Sequence, residues 1–133
     1  MIDTRTAPYG ALLIRLALGA MFLAHGLLKV FVFGFAGTAG FFESLGLPSA
    51  LAYLTILAEV GGGILLILGI YARVVAVLLI PVLAGAWYFA HADKGWLFSN
   101  AGGGWEYIAF LIAACAAVAL TGPGAMALVN ERR

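Results

Sequence analysis

Six side chains in an otherwise apolar sequence can move protons, donate hydrogen bonds or hold a ligand: Arg15, His25, Lys29, Glu59, His91 and Glu106. Each stands inside or at the end of a long hydrophobic stretch, where a charge is costly and usually faces the protein interior. Their spacing groups them. Arg15, Gly19, Phe22, His25/Gly26 and Lys29 recur at steps of three and four, which is one stripe of a helix. Thr55, Glu59 and Gly62/Gly63 share a face of a second helix, and Arg73, Val77, Pro81, Ala84, Tyr88 and His91 align along a third. Glu106 stands above the small residues Ala109, Ala113 and Ala117 of a fourth. Counting ~1.5 Å per residue from the boundary nearest Arg15, that arginine lies ~8 Å deep and Glu59 ~17 Å deep. On the same scale His25 and Glu106 come out near ~23 Å, and Lys29 and His91 near ~28 Å. His25, Lys29, His91 and Glu106, together with Glu59, are expected to converge in the outer half of a four-helix bundle.

A quinone suits such a set. Its long apolar tail belongs on the lipid side, its two carbonyls need donors, and its reduction needs protons. Glu59, Glu106 and His25 are the candidate proton-handling residues. Arg15, His25, Lys29 and His91 are the candidates for holding the ligand. Haem fits less well, because the two histidines differ by ~5 Å in depth. No metal is expected, since two histidines and two carboxylates on distant spans do not readily make a zinc site. Each residue also has a plainer reading. Arg15 can ion-pair with Glu59 or snorkel to the near face, and Lys29 can snorkel outward. Glu106 can serve as a helix-start carboxylate favoured by the dipole. His91 can be interfacial.

The elements that position these residues follow from composition. Hydrophobic residues make up 65% of the 133 and charged residues 10%, against about 45–50% and 25% in soluble domains. This excludes an ordinary soluble protein. The length allows one transmembrane domain over 1–133. A net charge of +1 with no basic run argues against nucleic acid. Cys115 is the single cysteine, so neither an internal disulfide nor a CxxC pair can form, and thiol chemistry would belong to a partner. Four stretches approach the ~20 apolar residues needed to cross a bilayer, at about 10–32, 50–70, 72–92 and 104–121. The expected fold is all-α: an integral membrane antiparallel four-helix bundle. Arg15, His25 and Lys29 within the first stretch argue against a cleaved signal peptide. Trp87, Tyr88, Trp96 and Trp105 would form an interfacial belt. Between the first two spans, residues 40–48 read as a short amphipathic helix in the first outer loop, capped by Gly46 and stopped by Pro48. Arg5, Arg73, Arg132 and Arg133 fall on one side and Lys94 on the other, so both termini are expected to be cytoplasmic.

The chain resembles the DoxX family. The resemblance is carried by Arg15-Leu16-Ala17-Leu18-Gly19, Phe22, His25-Gly26-Leu27-Leu28-Lys29 and Leu45-Gly46-Leu47-Pro48. It continues through Glu59 and the following glycines, Leu68-Gly69-Ile70-Tyr71-Ala72-Arg73, Asn100-Ala101-Gly102-Gly103-Gly104-Trp105-Glu106-Tyr107 and Gly122-Pro123-Gly124. Order and spacing, more than any one piece, make the match. DoxX-like proteins are four-helix membrane proteins. Relatives include the small subunit of a thiosulfate–quinone oxidoreductase, and others join complexes for oxidative-stress defence. The resemblance therefore implies a bacterial inner-membrane, quinone-interacting subunit of a redox or detoxification system. It would be embedded in the lipid bilayer with a soluble redox partner protein and as a potential homo-oligomer. The alternatives are a non-catalytic scaffold anchoring a soluble enzyme and, further off, a transporter subunit.

Overall fold

Apolar helices in lipid must satisfy every backbone group within themselves, and their ends are where that becomes difficult. The computed structural model describes residues 1–129; Arg132 and Arg133, which entered the charge count above, lie outside the described residues. Those residues form five α-helices and no strand. They are α1 (Ala7–Phe31), α2 (Gly34–Ser44), α3 (Ser49–Leu68), α4 (Ala72–Ala86) and α5 (Glu106–Thr121). A π-helical turn, Trp87–His91, continues α4.

Sequence explains the boundaries. Pro8 lies in the first turn of α1, where a missing N–H costs nothing. Pro48, extended at φ −61° and ψ 142°, precedes α3. Gly69 ends α3 at φ +72°, in the left-handed region a side chain disfavours. There its N–H reaches Leu66 O at 3.2 Å while the Ile70 N–H reaches Leu65 O at 2.9 Å, the paired bonds of a Schellman cap. Gly46, at φ +82°, closes the turn after α2. The amphipathic helix itself starts at Gly34 rather than Gly40. Gly34, at φ +75°, turns the chain from α1 into α2, and Gly37 lies inside that helix.

α1 packs antiparallel to α3, and α4 to α5, while α2 lies against α1 and α3. The α1–α3 seam is glycine-lined. A Cβ on Gly63 would stand 2.6 Å from Leu23 N, and one on Gly19 2.9 Å from Gly63 O. Absence of side chains there lets the two backbones touch, the usual device for helix pairs in membranes. Leu18 and Phe22 (α1), Leu66 (α3), Val75, Leu79 and Leu83 (α4), and Ile108, Leu111, Cys115 and Val118 (α5) make one core. Many large apolar side chains point outward instead, among them Leu13, Leu57, Leu78, Phe110 and Leu120. An outer surface of this kind belongs in lipid.

α1, α3 and the continuous α4–π unit Ala72–His91 are long and apolar enough to cross a membrane. α5 is apolar but has 16 residues, which at ~1.5 Å each give ~24 Å against a ~30 Å hydrocarbon layer.

Candidate functional site

One end of the helices is held by arginines. Arg15 is fully buried. Its Nη1 donates to Leu66 O and Ile67 O, both at 2.8 Å, its Nε to Pro123 O at 2.8 Å and its Nη2 to Ala125 O at 2.9 Å. It thus neutralises the carbonyl end of α3, where the helix dipole favours a cation, and ties the segment after α5 to α1. Arg73 treats α5 in the same way, with Nη1 2.8 Å from Ala119 O and 3.2 Å from Leu120 O. The sequence reading allowed an Arg15–Glu59 ion pair. The geometry gives Arg15 to backbone carbonyls instead, because the C-terminal turn of α3 lies closer to it than Glu59 does.

Glu59, 6% exposed, pairs with Lys29. Lys29 Nζ lies 2.9 Å from Oε1 and 3.0 Å from Oε2. The ~11 Å depth difference of the helical-rise estimate is absent, because α1 and α3 pack with Gly26 level with Glu59. Lys29, about one turn (~4.5 Å) further along α1, has only to reach back over that turn. Close approach at Gly26 helps, since a Cβ there would sit 3.1 Å from Glu59 Cβ.

This pair lines a cavity of about 220 Å³ at the opposite end from Arg15. His25, His91 and Tyr107 line it as well, with Phe22, Leu83 and Leu111 as its apolar floor. His25 Nδ1 is 2.7 Å from Met21 O and His91 Nδ1 is 2.8 Å from Gly103 O. A carbonyl only accepts, so each Nδ1 carries a proton and each Nε2 is left on the opposite edge of its ring. The π turn places His91. α4 turns Leu79 and Leu83 inward while Val77, Pro81, Ala84 and Tyr88 face out. An i→i+5 step from Ala86 then sets His91 over the same cavity.

The structure therefore brings His25, Lys29, Glu59 and His91 together and places Arg15 and Glu106 elsewhere. Glu106 lines an adjoining, more open depression with Trp96 and Phe110, with Phe98 and Tyr107 standing between it and the cavity. The face of α5 below it lies outside the core, Ala113 being exposed and Ala109 and Ala117 half-buried. Tyr107, which the sequence reading did not single out, takes its place. Its ring centroid is 5.8 Å from that of His25 and 5.7 Å from that of Phe98. Its hydroxyl is buried with no hydrogen-bond partner among the described residues. The apolar period Ile108, Leu111, Cys115, Val118 carries the signal, because it puts Tyr107 on the inward face. Among the described residues no group of three or more His, Cys, Asp or Glu could hold a metal.

A helical membrane protein with a small, largely apolar cavity that carries a few polar side chains between its helices is the class these features define. The chain belongs to the DoxX family, whose model matches residues 10–92. It is 44% identical over 77 residues to a Bacillus subtilis (strain 168) protein named "Putative oxidoreductase CatD", covering 58% of this chain and 56% of that one. The match therefore spans little more than half of that relative's length. It is 32% identical over 128 residues to Inner membrane protein YphA of Escherichia coli (strain K12), covering 91% of this chain and 89% of that one. An uncharacterized protein of Haemophilus influenzae is 34% identical over 125 residues, covering 93% of this chain and 91% of that one. No solved structure matches.

Proposed function

We propose that the chain is an inner-membrane protein of four crossings that binds a quinone headgroup in the His25–Lys29–Glu59–His91–Tyr107 cavity, as a subunit of a redox or detoxification system. One observation carries the reading. A largely apolar cavity contains two histidines with free Nε2 edges, an unpartnered phenol and an internally neutralised ion pair. That is a site for an uncharged ring bearing a few polar atoms. Its volume, about 220 Å³, admits one substituted six-membered ring, since ~150 Å³ is enough for benzene. The isoprenoid tail would lie outside among the lipids. The name of the Bacillus subtilis relative agrees with redox work. Orientation follows the arginines, with Arg5 and Arg73 at the cytoplasmic face and the cavity toward the other.

The test is purification in mild detergent, mass spectrometry of co-purified lipids and quinones, and titration with decylubiquinone followed by thermal unfolding. A retained quinone or a saturable rise in Tm supports the reading; neither would refute it. A scaffold that merely anchors a soluble enzyme is the second reading. It is favoured by the fact that Arg15, Lys29 and Glu59 all find partners within the chain. Under that reading cavity substitutions leave partner capture intact.

A further inference from the structure

The polar atoms around the cavity are unequal in kind. In its neutral form, an imidazole whose Nδ1 proton is committed to a carbonyl offers only a lone pair at Nε2. His25 and His91 are both fixed in this way, by Met21 O and Gly103 O. Two of the three ammonium protons of Lys29 are taken by Glu59. The Tyr107 hydroxyl remains as the one neutral donor lining the cavity. An oxidised quinone presents carbonyl oxygens that only accept, so two histidine lone pairs would face it without protons. Its reduced form presents two hydroxyl donors, which these lone pairs can receive.

We infer that the cavity is built for the reduced form of its ligand, a quinol, with His25 and His91 accepting from its hydroxyls and Tyr107 donating to a ring oxygen. The inference rests on the quinone reading above and adds the redox state. The two nitrogens come from α1 and from the π turn after α4, so the preference depends on both helices being in place. The Lys29–Glu59 pair favours neither form, because it offers both an ammonium proton and carboxylate lone pairs to the cavity.

The experiment uses the full chain in detergent, with decylubiquinol and decylubiquinone each titrated under anaerobic conditions at neutral pH. One to two unequal hydrogen bonds correspond to quinol binding about 10-fold tighter, which raises the potential of the bound two-electron couple by about 30 mV. Two variants then move the ratio in opposite directions. Tyr107→Phe keeps the ring beside His25 and removes the donor. It should weaken decylubiquinone more than decylubiquinol, which loses the same donor but keeps its bonds to both histidine acceptors, so the ratio grows. His25→Phe removes an acceptor and should bring the ratio toward one. Equal affinities, or a tighter quinone, in the unaltered protein would overturn the inference and leave the quinone site standing. Binding of neither form would overturn both.

Discussion

Lys29 Nζ lies within 3.0 Å of both oxygens of Glu59, and this is the ion pair joining α1 to α3. The Glu59 side chain is 8% exposed and that of Lys29 22%, so water screens the pair weakly. Removing one partner of a buried pair leaves a charge uncompensated, at a cost on the order of 3 kcal/mol. Glu59→Gln should therefore lower the unfolding midpoint in SDS titration, and the double change Glu59→Gln with Lys29→Gln should recover much of it. Pairing Glu59→Gln with Arg15→Gln should recover nothing, since Arg15 is bonded to carbonyls. Rescue by the Arg15 double would contradict the geometry directly.

Arg15 supports a second expectation. Its guanidinium serves Leu66, Ile67, Pro123 and Ala125 at once, and hydrogen bonds to a charged donor are worth about 1.5–3 kcal/mol each when isolated. Arg15→Gln should cost at least about 3 kcal/mol and free the segment after Thr121 for proteolysis. Arg15→Lys should rescue little, because a single ammonium cannot span four carbonyls with fixed fork geometry. Limited proteolysis with mass readout checks both variants. An Arg15→Lys variant as protected as the parent would sink the idea.

Much of this was legible in the sequence, for a physical reason. The stripe Arg15, Gly19, Phe22, Gly26, Lys29 is a three–four pattern on a helix nearly everywhere apolar, so its buried face was set by where polar and small residues fall. Partner choice was less legible. Helical rise counted from span ends sets Lys29 and Glu59 ~11 Å apart in depth, whereas the glycine-lined register of α1 on α3 brings Glu59 level with Gly26, within reach of the lysine stem. Two side chains eluded the pattern because of phase. Glu106 aligns with Ala109, Ala113 and Ala117, none of them buried, and the core-facing period of α5 belongs to Ile108, Leu111 and Cys115, which favours Tyr107. His91 was placed on the third helix along Val77, Pro81 and Tyr88, which are exposed. It reaches the cavity because the last turn widens to a π turn, and no short sequence pattern announces one.

The glycine seam separates two substitutions that look alike. A Cβ at Gly63 would meet Leu23 N at 2.6 Å and Gly19 O at 2.8 Å, both backbone atoms that cannot step aside. At Gly61 a Cβ would meet nothing within 4 Å. Gly63→Ala should wedge α1 from α3, destabilise by about 1–3 kcal/mol as overpacking does, and loosen the Lys29–Glu59 contact. Gly61→Ala should be neutral or stabilising by up to about 1 kcal/mol through helix propensity. Thermal unfolding of the pair in one detergent checks the contrast, and equal effects would remove the seam as the cause.

The membrane topology can be argued from the two ends of the chain. The Ala125 N–H bonds Pro8 O at 3.0 Å, and Arg15 of α1 holds Pro123 O. The segments flanking α1 and α5 therefore share one end of the molecule. α1, α3 and the α4–π unit are each long and apolar enough to cross; three crossings leave the chain at the opposite end, so under the proposed topology α5 returns it. At 16 residues α5 covers ~24 Å, and the shortfall falls where Trp105 packs on Trp87 and Trp96, with ring centroids 5.0 and 4.6 Å away. Interfacial indoles tolerate that depth, and a modest local thinning costs only fractions of a kcal/mol per ångström, about 0.5 at most. Reporters fused before Met1 and after Arg133 should report the same compartment, and under the orientation proposed from the arginines that compartment should be the cytoplasm. Termini on opposite sides would mean that α5 does not cross. Both termini in the periplasm would invert the orientation while leaving the four crossings intact, and the cavity would then open toward the cytoplasm.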